Sequence, residues 1–491
     1  MNRRRFLQLT FGASLGLNVR RVFGSGAKKP NVVLIFADDL GWKDLGCTGS
    51  DFYESPNIDR LAQDGVLFTS AYSCAGNCAP SRACLISGQY TPRHSVYAVG
   101  STDRGPRELM RMIPIPNSRE LAIENVTIAE AMKAAGYATG MFGKWHLGNT
   151  PKTLPDAQGF DTTLLPGTRS GPDDPKHIYT ITRAACEFIE KNKDRPFFAY
   201  VAHHAIHTAL QARPGTLAKF EAKKPGTQHS YALYAGCTYD LDDGVGLLLN
   251  KLDELGLADN TLVLFTSDNG GTPRSSQEPL RGSKGCYYEG GIRVPMIVRW
   301  PGRAQRGMAC DTPVSNVDFY PTFLAAAGAS PPAGKALDGE SVLPLLKGDD
   351  RLTRKAIFWH FPGYLNNAVP RGRDPVFRTR PVSVIRKGDW KLHLYHEEWM
   401  LDGGRDRLET NRAVELYNLV EDIGERNDLA LRRKDKRDEL LDDLLAWLKA
   451  TKARLPSERN PGYAPGSQAK QTRPNRKRAK ENVRGTKGGN L

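Results

Sequence analysis

The sequence predicts an α/β fold, a doubly wound sheet sandwiched by helices and followed by a smaller α+β unit. Three observations support this. Four short apolar runs, at 32–36, 138–142, 197–201 and 262–265, have the continuous pattern of strands buried on both faces of a parallel sheet. Segments with helical apolar spacing lie between them, as crossovers in such a sheet require. Each run also ends in a polar cluster: Asp38-Asp39; Lys144 and His146; His203, His204 and His207; Asp268-Asn269. Ligands of open α/β sheets bind at the carboxyl ends of the strands, where all four clusters would meet.

Taken in order, residues 1–29 open the chain with Asn2-Arg3-Arg4-Arg5-Phe6-Leu7-Gln8 and a weakly apolar stretch from 9 to 19. This resembles a twin-arginine export signal, and the stretch is too short to span a bilayer. Thr127-Ile128-Ala129-Glu130 is a capping box, so a helix is expected to start there and run to Gly136. Residues 179–192 and 230–255 have helical apolar spacing. The catalytic domain is placed at 30–350, with a boundary expected in the Pro- and Gly-rich stretch 328–339 or a little later, near 350–375. A C-terminal subdomain at 351–455 is expected to hold short strands at 382–385, 390–395 and 415–419, then an amphipathic helix at 433–451. The remainder, 456–491, reads as a disordered basic tail.

Charge distribution narrows the function classes. The net charge is +15, but residues 1–29 hold seven basic and no acidic side chains, and residues 470–491 hold eight basic and one acidic. Almost all the excess therefore sits in the tails, and the near-neutral body has no basic stripe for nucleic acid. No segment approaches the ~20 apolar residues of an integral membrane span. Eight cysteines are too few for a disulfide scaffold of this length, and no CxxC pair marks zinc.

The most informative run is Cys78-Ala79-Pro80-Ser81-Arg82-Ala83-Cys84-Leu85-Ile86-Ser87-Gly88. Pro80 suits the first turn of a helix, which puts Cys78 just ahead of the N-terminus. The helix dipole there favours negative charge, and Arg82 adds a cation on about the same face. An acidic, reactive thiol is the expectation. Separately, Asp38, Asp39, Asp268 and Asn269 supply hard oxygen ligands on two strand ends, suited to Ca²⁺ or Mg²⁺ rather than zinc.

The Cys-x-Pro-Ser-Arg run resembles the signature of the type I sulfatases, of the alkaline phosphatase-like superfamily. Gly143-Lys144-Trp145-His146-Leu147-Gly148 is similar to a second motif of that family. Gly282-Ser283-Lys284-Gly285 with Tyr288-Glu289-Gly290-Gly291-Ile292-Arg293-Val294-Pro295 is similar to a third, and the Asp-Asp and Ser-Asp-Asn-Gly pairs to its metal motifs. A looser likeness extends to Gly388-Asp389-Trp390-Lys391-Leu392 and Glu415-Leu416-Tyr417-Asn418-Leu419.

The resemblance implies an alkaline phosphatase-like mixed sheet and hydrolysis of a sulfate monoester on a sulfated carbohydrate or an aryl sulfate. It implies that a formylglycine-generating enzyme converts Cys78 to Cα-formylglycine (3-oxoalanine), which then joins Asp38, Asp39, Asp268 and Asn269 around Ca²⁺ or Mg²⁺. Lys144 and Lys284 would hold sulfate oxygens, Lys144 and His146 would contact the formylglycine, and Arg82 completes the catalytic set. His207 would protonate the leaving group, although the family's Pro-His-x-Pro pattern reads Ile206-His207-Thr208-Ala209 here, without either proline. Three nearby histidines also leave a zinc reading open. Competing functions are a formylglycine-dependent phosphonate monoester hydrolase or phosphodiesterase, and a non-catalytic binding protein. A periplasmic or secreted location follows from the export signal. In that family substrate selection comes from loops at the pocket rim, here about 91–120 and 359–380, with His94, Arg104, Arg107, His360 and Arg378 as candidates.

Overall fold

The computed structural model describes residues 28–167, 169–349 and 352–465. Its main sheet contains β1 (Asn31–Ala37), β2 (Val66–Phe68), β3 (Ala138–Gly143), β4 (Thr162–Leu164), β5 (Phe197–Ala202), β6 (Thr261–Ser267), β7 (Met296–Arg299) and β8 (Met308–Cys310). They lie in the order β4-β3-β5-β1-β6-β7-β2-β8. The four expected runs form the adjacent parallel strands β3, β5, β1 and β6. All four are wholly buried, which is why their sequences are continuously apolar and not alternating. The sheet is mixed because β7 runs antiparallel to both β6 and β2.

The expected helices form at Ile128–Ala134, Ile178–Lys191, Ala232–Glu254 and Lys434–Ala450. The capping box closes as read: Glu130 N donates to Thr127 Oγ1 at 3.1 Å and Thr127 N to Glu130 Oε2 at 2.7 Å. Alternating side chains of the central strands feed two cores on opposite faces of the sheet. Val32, Leu34 and Phe36 lie in one, Val33 and Ile35 in the other. The longest helix, Ala232–Glu254, packs on the second face.

Four antiparallel strands, β9 (Ala356–Phe361), β10 (Val382–Lys387), β11 (Trp390–Tyr395) and β12 (Val414–Asn418), make a second sheet in the order of their numbering. The Lys434–Ala450 helix covers one face of it through Leu440, Leu441, Leu444 and Leu448. β9 was not expected: it falls in the stretch read as boundary and rim loop, yet Trp359 and Phe361 are buried.

Residues 456–465 also depart from the expected tail. Asn460 N donates to Arg111 O at 3.0 Å, Ile113 N to Glu458 O at 2.9 Å and Ala464 N to Glu108 O at 2.9 Å. The backbone of 108–113 supplies donors and acceptors that composition alone did not reveal. The export-signal reading, for all but residues 28 and 29, and the tail beyond 465 lie outside the described residues. Among the described residues, no helix is long and apolar enough to cross a membrane.

Candidate active site

Strand register assembles the acidic cluster. β1 and β6 are parallel neighbours with Ala37 opposite Ser267, so the residues that follow leave the sheet side by side. Asp39 adopts a left-handed backbone, φ 69°, and its N–H donates to Asp268 Oδ1 at 3.1 Å. Asn269 Nδ2 donates to Asp39 Oδ1 at 2.8 Å. A third element, the Cys78–Ser87 helix, brings its first residue to the same point. The Cys78 thiol donates to Asp38 Oδ1 at 3.4 Å. One ligand atom from each of Asp38, Asp39, Cys78 and Asp268 lies within 4.8 Å of the other three.

Three cations face these three carboxylates. Arg82, fully buried one turn into the helix, donates through Nε and Nη2 to Asp268 Oδ2 at 3.0 and 2.8 Å. Its Nη1 donates to Lys144 O at 2.8 Å, and its guanidinium lies 5.1 Å from the centre of the Phe36 ring. Lys144 Nζ donates to Asp38 Oδ2. Lys284 Nζ donates to Asp39 Oδ2 at 2.7 Å and reaches Cys78 Sγ at 3.3 Å. The turn before Lys144 requires Gly143: φ is 107°, and a Cβ would collide with the carbonyl oxygen of Ala202. That close approach lets Lys144 N donate to Ala202 O at 2.7 Å.

The electrostatics divide the group. Burial opposes ionisation of Asp38, but Lys144, Arg82 and Lys284 outweigh it and hold the carboxyl well below the usual range. Asp268 is pushed up, to about 6, by burial and by Asp38, against the pull of Arg82. The expected acidic thiol is corrected: Cys78 is pushed up by burial and by the neighbouring carboxylates of Asp268 and Asp38. Lys144 and Lys284 do not compensate for desolvation at a fully buried sulfur. The helix also begins one residue earlier than expected, with Asn77 as N-cap and Cys78 as its first residue.

Among the histidines, His207 Nε2 lies 3.8 Å from Asp39 Oδ2, and the ring keeps 40% of its surface exposed. It stands at the mouth of the site, with Nδ1 2.6 Å from Thr208 O. His146, at φ 65°, is lowered to about 3 by burial, Lys144 and Arg82, and its Nδ1 is buried without a partner. His204, lowered to about 4 mainly by burial, also keeps an unpartnered buried Nε2. The triple-histidine zinc reading fails, because among the described residues only His207 joins a potential metal cluster, together with Asp38 and Cys78.

The oxygen-rich donor set fits a divalent cation such as Ca²⁺ or Mg²⁺. Asn269 Oδ1 is buried without a hydrogen-bond partner beside the three carboxylates, a cost that a cation would relieve. All ten expected site residues are thus gathered in one place. Two rim candidates are not at a rim. His94 is buried against Cys84 Sγ at 3.4 Å, and His360 is buried between Ser383 Oγ and Arg454 O. Arg107 is exposed and paired with Asp103. Lys176 was missed. Its Nζ donates to Ala209 O at 3.2 Å, just beyond His207, and no sequence motif marks it.

The carboxyl ends of two central strands turn carboxylates and matching cations onto one helix-borne residue, in a mixed sheet of the kind that hydrolases of sulfuric esters share. The chain belongs to the sulfatase family. The model of the sulfatase family matches residues 30–329, and that of the N-sulphoglucosamine sulphohydrolase C-terminal region matches 283–452. A sulfatase of Formosa agariphila is 34% identical, with 86% of this chain and 89% of that protein covered. Human N-acetylgalactosamine-6-sulfatase is 34% identical over 68% of this chain and 69% of its own. The crystal structure of Ps i-CgsB in complex with k-i-k-neocarrahexaose superposes with a TM-score of 0.69 at 30% identity, covering 88% of this chain and 95% of that one. The protein is therefore a sulfuric ester hydrolase.

Proposed function

We propose that the protein removes sulfate from a sulfated carbohydrate, with residue 78 acting as formylglycine and a Ca²⁺ or Mg²⁺ ion held by Asp38, Asp39, Asp268, Asn269 and residue 78. One observation carries the reading: Cys78 Sγ sits at the meeting point of Asp38 and Lys284, 3.4 and 3.3 Å away, inside the acidic cluster. A protonated thiol in that position is a poor nucleophile, which supports its replacement by an oxygen nucleophile. The sugar in the name of the human relative and the neocarrahexaose bound in the i-CgsB complex support the carbohydrate.

A cation bound among these oxygens supplies Lewis-acid polarisation and lowers the pKa of an oxygen beside it. As formylglycine, residue 78 supplies a hydrated aldehyde with two hydroxyls, one to attack sulfur and one to expel sulfate. Lys144 and Lys284 orient and neutralise the sulfate oxygens from two sides. Arg82 does not reach outward: its bonds to Asp268 and Lys144 O fix a ligand and the turn bearing a sulfate-binding lysine. His207, the exposed member of the set, is positioned to give a proton to the departing alcohol. His146 is neutral at working pH and so available to accept one. Maturation would require a formylglycine-generating enzyme, and the twin-arginine-like N-terminus directs the protein to the periplasm or beyond.

The test is mass spectrometry of the peptide containing residue 78, combined with desulfation assays on a panel of sulfated sugars. An aldehyde at residue 78 in the active preparation is expected. Full activity with unmodified Cys78, or no sulfate release from any sugar, would refute the proposal.

A further inference from the structure

Among the described residues, two arginines beside the sulfate site have no acidic partner. Arg378, half-buried on the short strand Phe377–Thr379, donates through Nη1 to Lys284 O at 3.0 Å and through Nε to Asn367 O at 3.2 Å. Its side chain lies so close over Gly285 that a Cβ there would strike Arg378 Cδ, so it is wedged against the turn that presents Lys284. A second loop brings Arg104 to it. Arg104 N donates to Tyr364 O at 3.3 Å, Tyr364 N to Thr102 O at 2.7 Å, and Gly105 packs on the Phe377 ring. Arg104 Nε is buried with no hydrogen-bond partner. Burial and the neighbouring Arg378 guanidinium both lower the Arg104 pKa, and no carboxylate offsets them.

Like charges held together and partly desolvated are costly, as is a buried N–H without an acceptor. A ligand bearing negative charge relieves both costs, and guanidinium forks match sulfate and carboxylate oxygens. Arg107 is no alternative, since it is exposed and already paired with Asp103.

We propose that Arg104 and Arg378 form a specificity site for a second anionic group, a sulfate or a carboxylate, carried by the substrate near the sulfate that Lys284 holds. This rests on the action on a sulfated carbohydrate proposed above. Such a site would make the enzyme prefer multiply charged sugars over singly sulfated ones.

The experiment compares kcat/KM of the matured full-length enzyme on galactose and N-acetylgalactosamine 6-sulfates, the matching 4,6-disulfates, and disaccharides that add a uronate to the 6-sulfate. Wild-type enzyme should prefer a dianionic member. Arg104→Gln and Arg378→Gln should each cut that preference by about 10- to 100-fold, the loss of a charged hydrogen bond. Arg104→Lys should restore part of it, and Arg107→Gln should keep the wild-type ratio. Which member loses its advantage tells sulfate from carboxylate. No dianionic preference in wild type, or a preference that survives both Gln variants in preparations of unchanged thermal stability, overturns the proposal. Failure of the carbohydrate reading shows separately, as nitrophenyl sulfate still cleaved while no sugar sulfate in the panel is hydrolysed.

Discussion

Replacing Lys391 by Met tests how the two sheets are held together. Lys391, on β11, is fully buried and donates to Glu289 Oε1 at 2.9 Å, with Glu425 Oε1 3.0 Å away. Both carboxylates are also fully buried. Glu289 accepts further bonds from Tyr72 OH at 2.7 Å and Arg293 Nη1 at 2.9 Å, and Glu425 Oε2 accepts from Glu289 N at 2.6 Å. The cluster therefore joins the Tyr288–Arg293 stretch of the catalytic domain to β11 and the 425 turn. Removing one partner of a buried ion pair costs about 3–5 kcal/mol, because the remaining charge cannot return to water. Unfolding entropy is roughly 2.1 cal/mol/K per residue. A chain of 491 residues then loses about 1 °C per kcal/mol, so Tm should fall by about 3–5 °C.

The pH dependence has a definite sign. Burial and the neighbouring Glu289 already raise the Glu425 carboxyl to about 7 against the pull of Lys391, and losing the lysine raises it further, whereas Glu289 keeps Arg293 as a partner. The protonated Glu425 then stabilises the fold below its unfolded pKa of about 4.3, and this contribution is lost as pH rises through the folded pKa. The deficit of Lys391→Met should accordingly be larger at pH 8 than at pH 5, and adding Glu425→Gln should recover part of it. Calorimetry at the two pH values gives the answer. A Tm unchanged at both, or a deficit larger at low pH, would refute the reasoning.

Other predictions concern the reaction. Exhaustive chelation, or Asp268→Ala, which also strips Arg82 of its bidentate partner, should abolish turnover; metal analysis of active enzyme showing zinc without calcium or magnesium would contradict the assignment. His207→Ala should slow sugar-sulfate hydrolysis by about 10²–10⁴-fold while affecting nitrophenyl sulfate much less, since a good leaving group hardly needs a proton. That pattern appearing in His204→Ala instead would move the acid role to the buried ring. Side-by-side kcat/KM should favour nitrophenyl sulfate over nitrophenyl phosphate and phosphonate monoesters, and the reverse order would favour the phosphoryl-transfer alternative.

The sequence by itself determined the strands and what they deliver. Short, continuous, β-branched-rich apolar runs alternating with helical segments fit strands buried on both faces of a sheet, and a polar pair directly after such a strand emerges at its carboxyl end. Asp38, Asp39, Lys144, His207, Asp268 and Asn269 were legible for that reason, and Cys78 and Arg82 because a helix start is a local feature. Tertiary structure alone decided the rest. The thiol at 78 is weakly acidic because it is buried and because Asp268 and Asp38 arrive from other strands, which local dipole reasoning omits. His94 and His360 are core residues and Arg104 and Arg378 neighbours because pairings some 270 residues apart set their exposure. β9 and the Glu289–Lys391–Glu425 cluster are equally invisible locally. A buried charge is tolerable only where its partners converge, and convergence is a property of the folded chain, not of any segment.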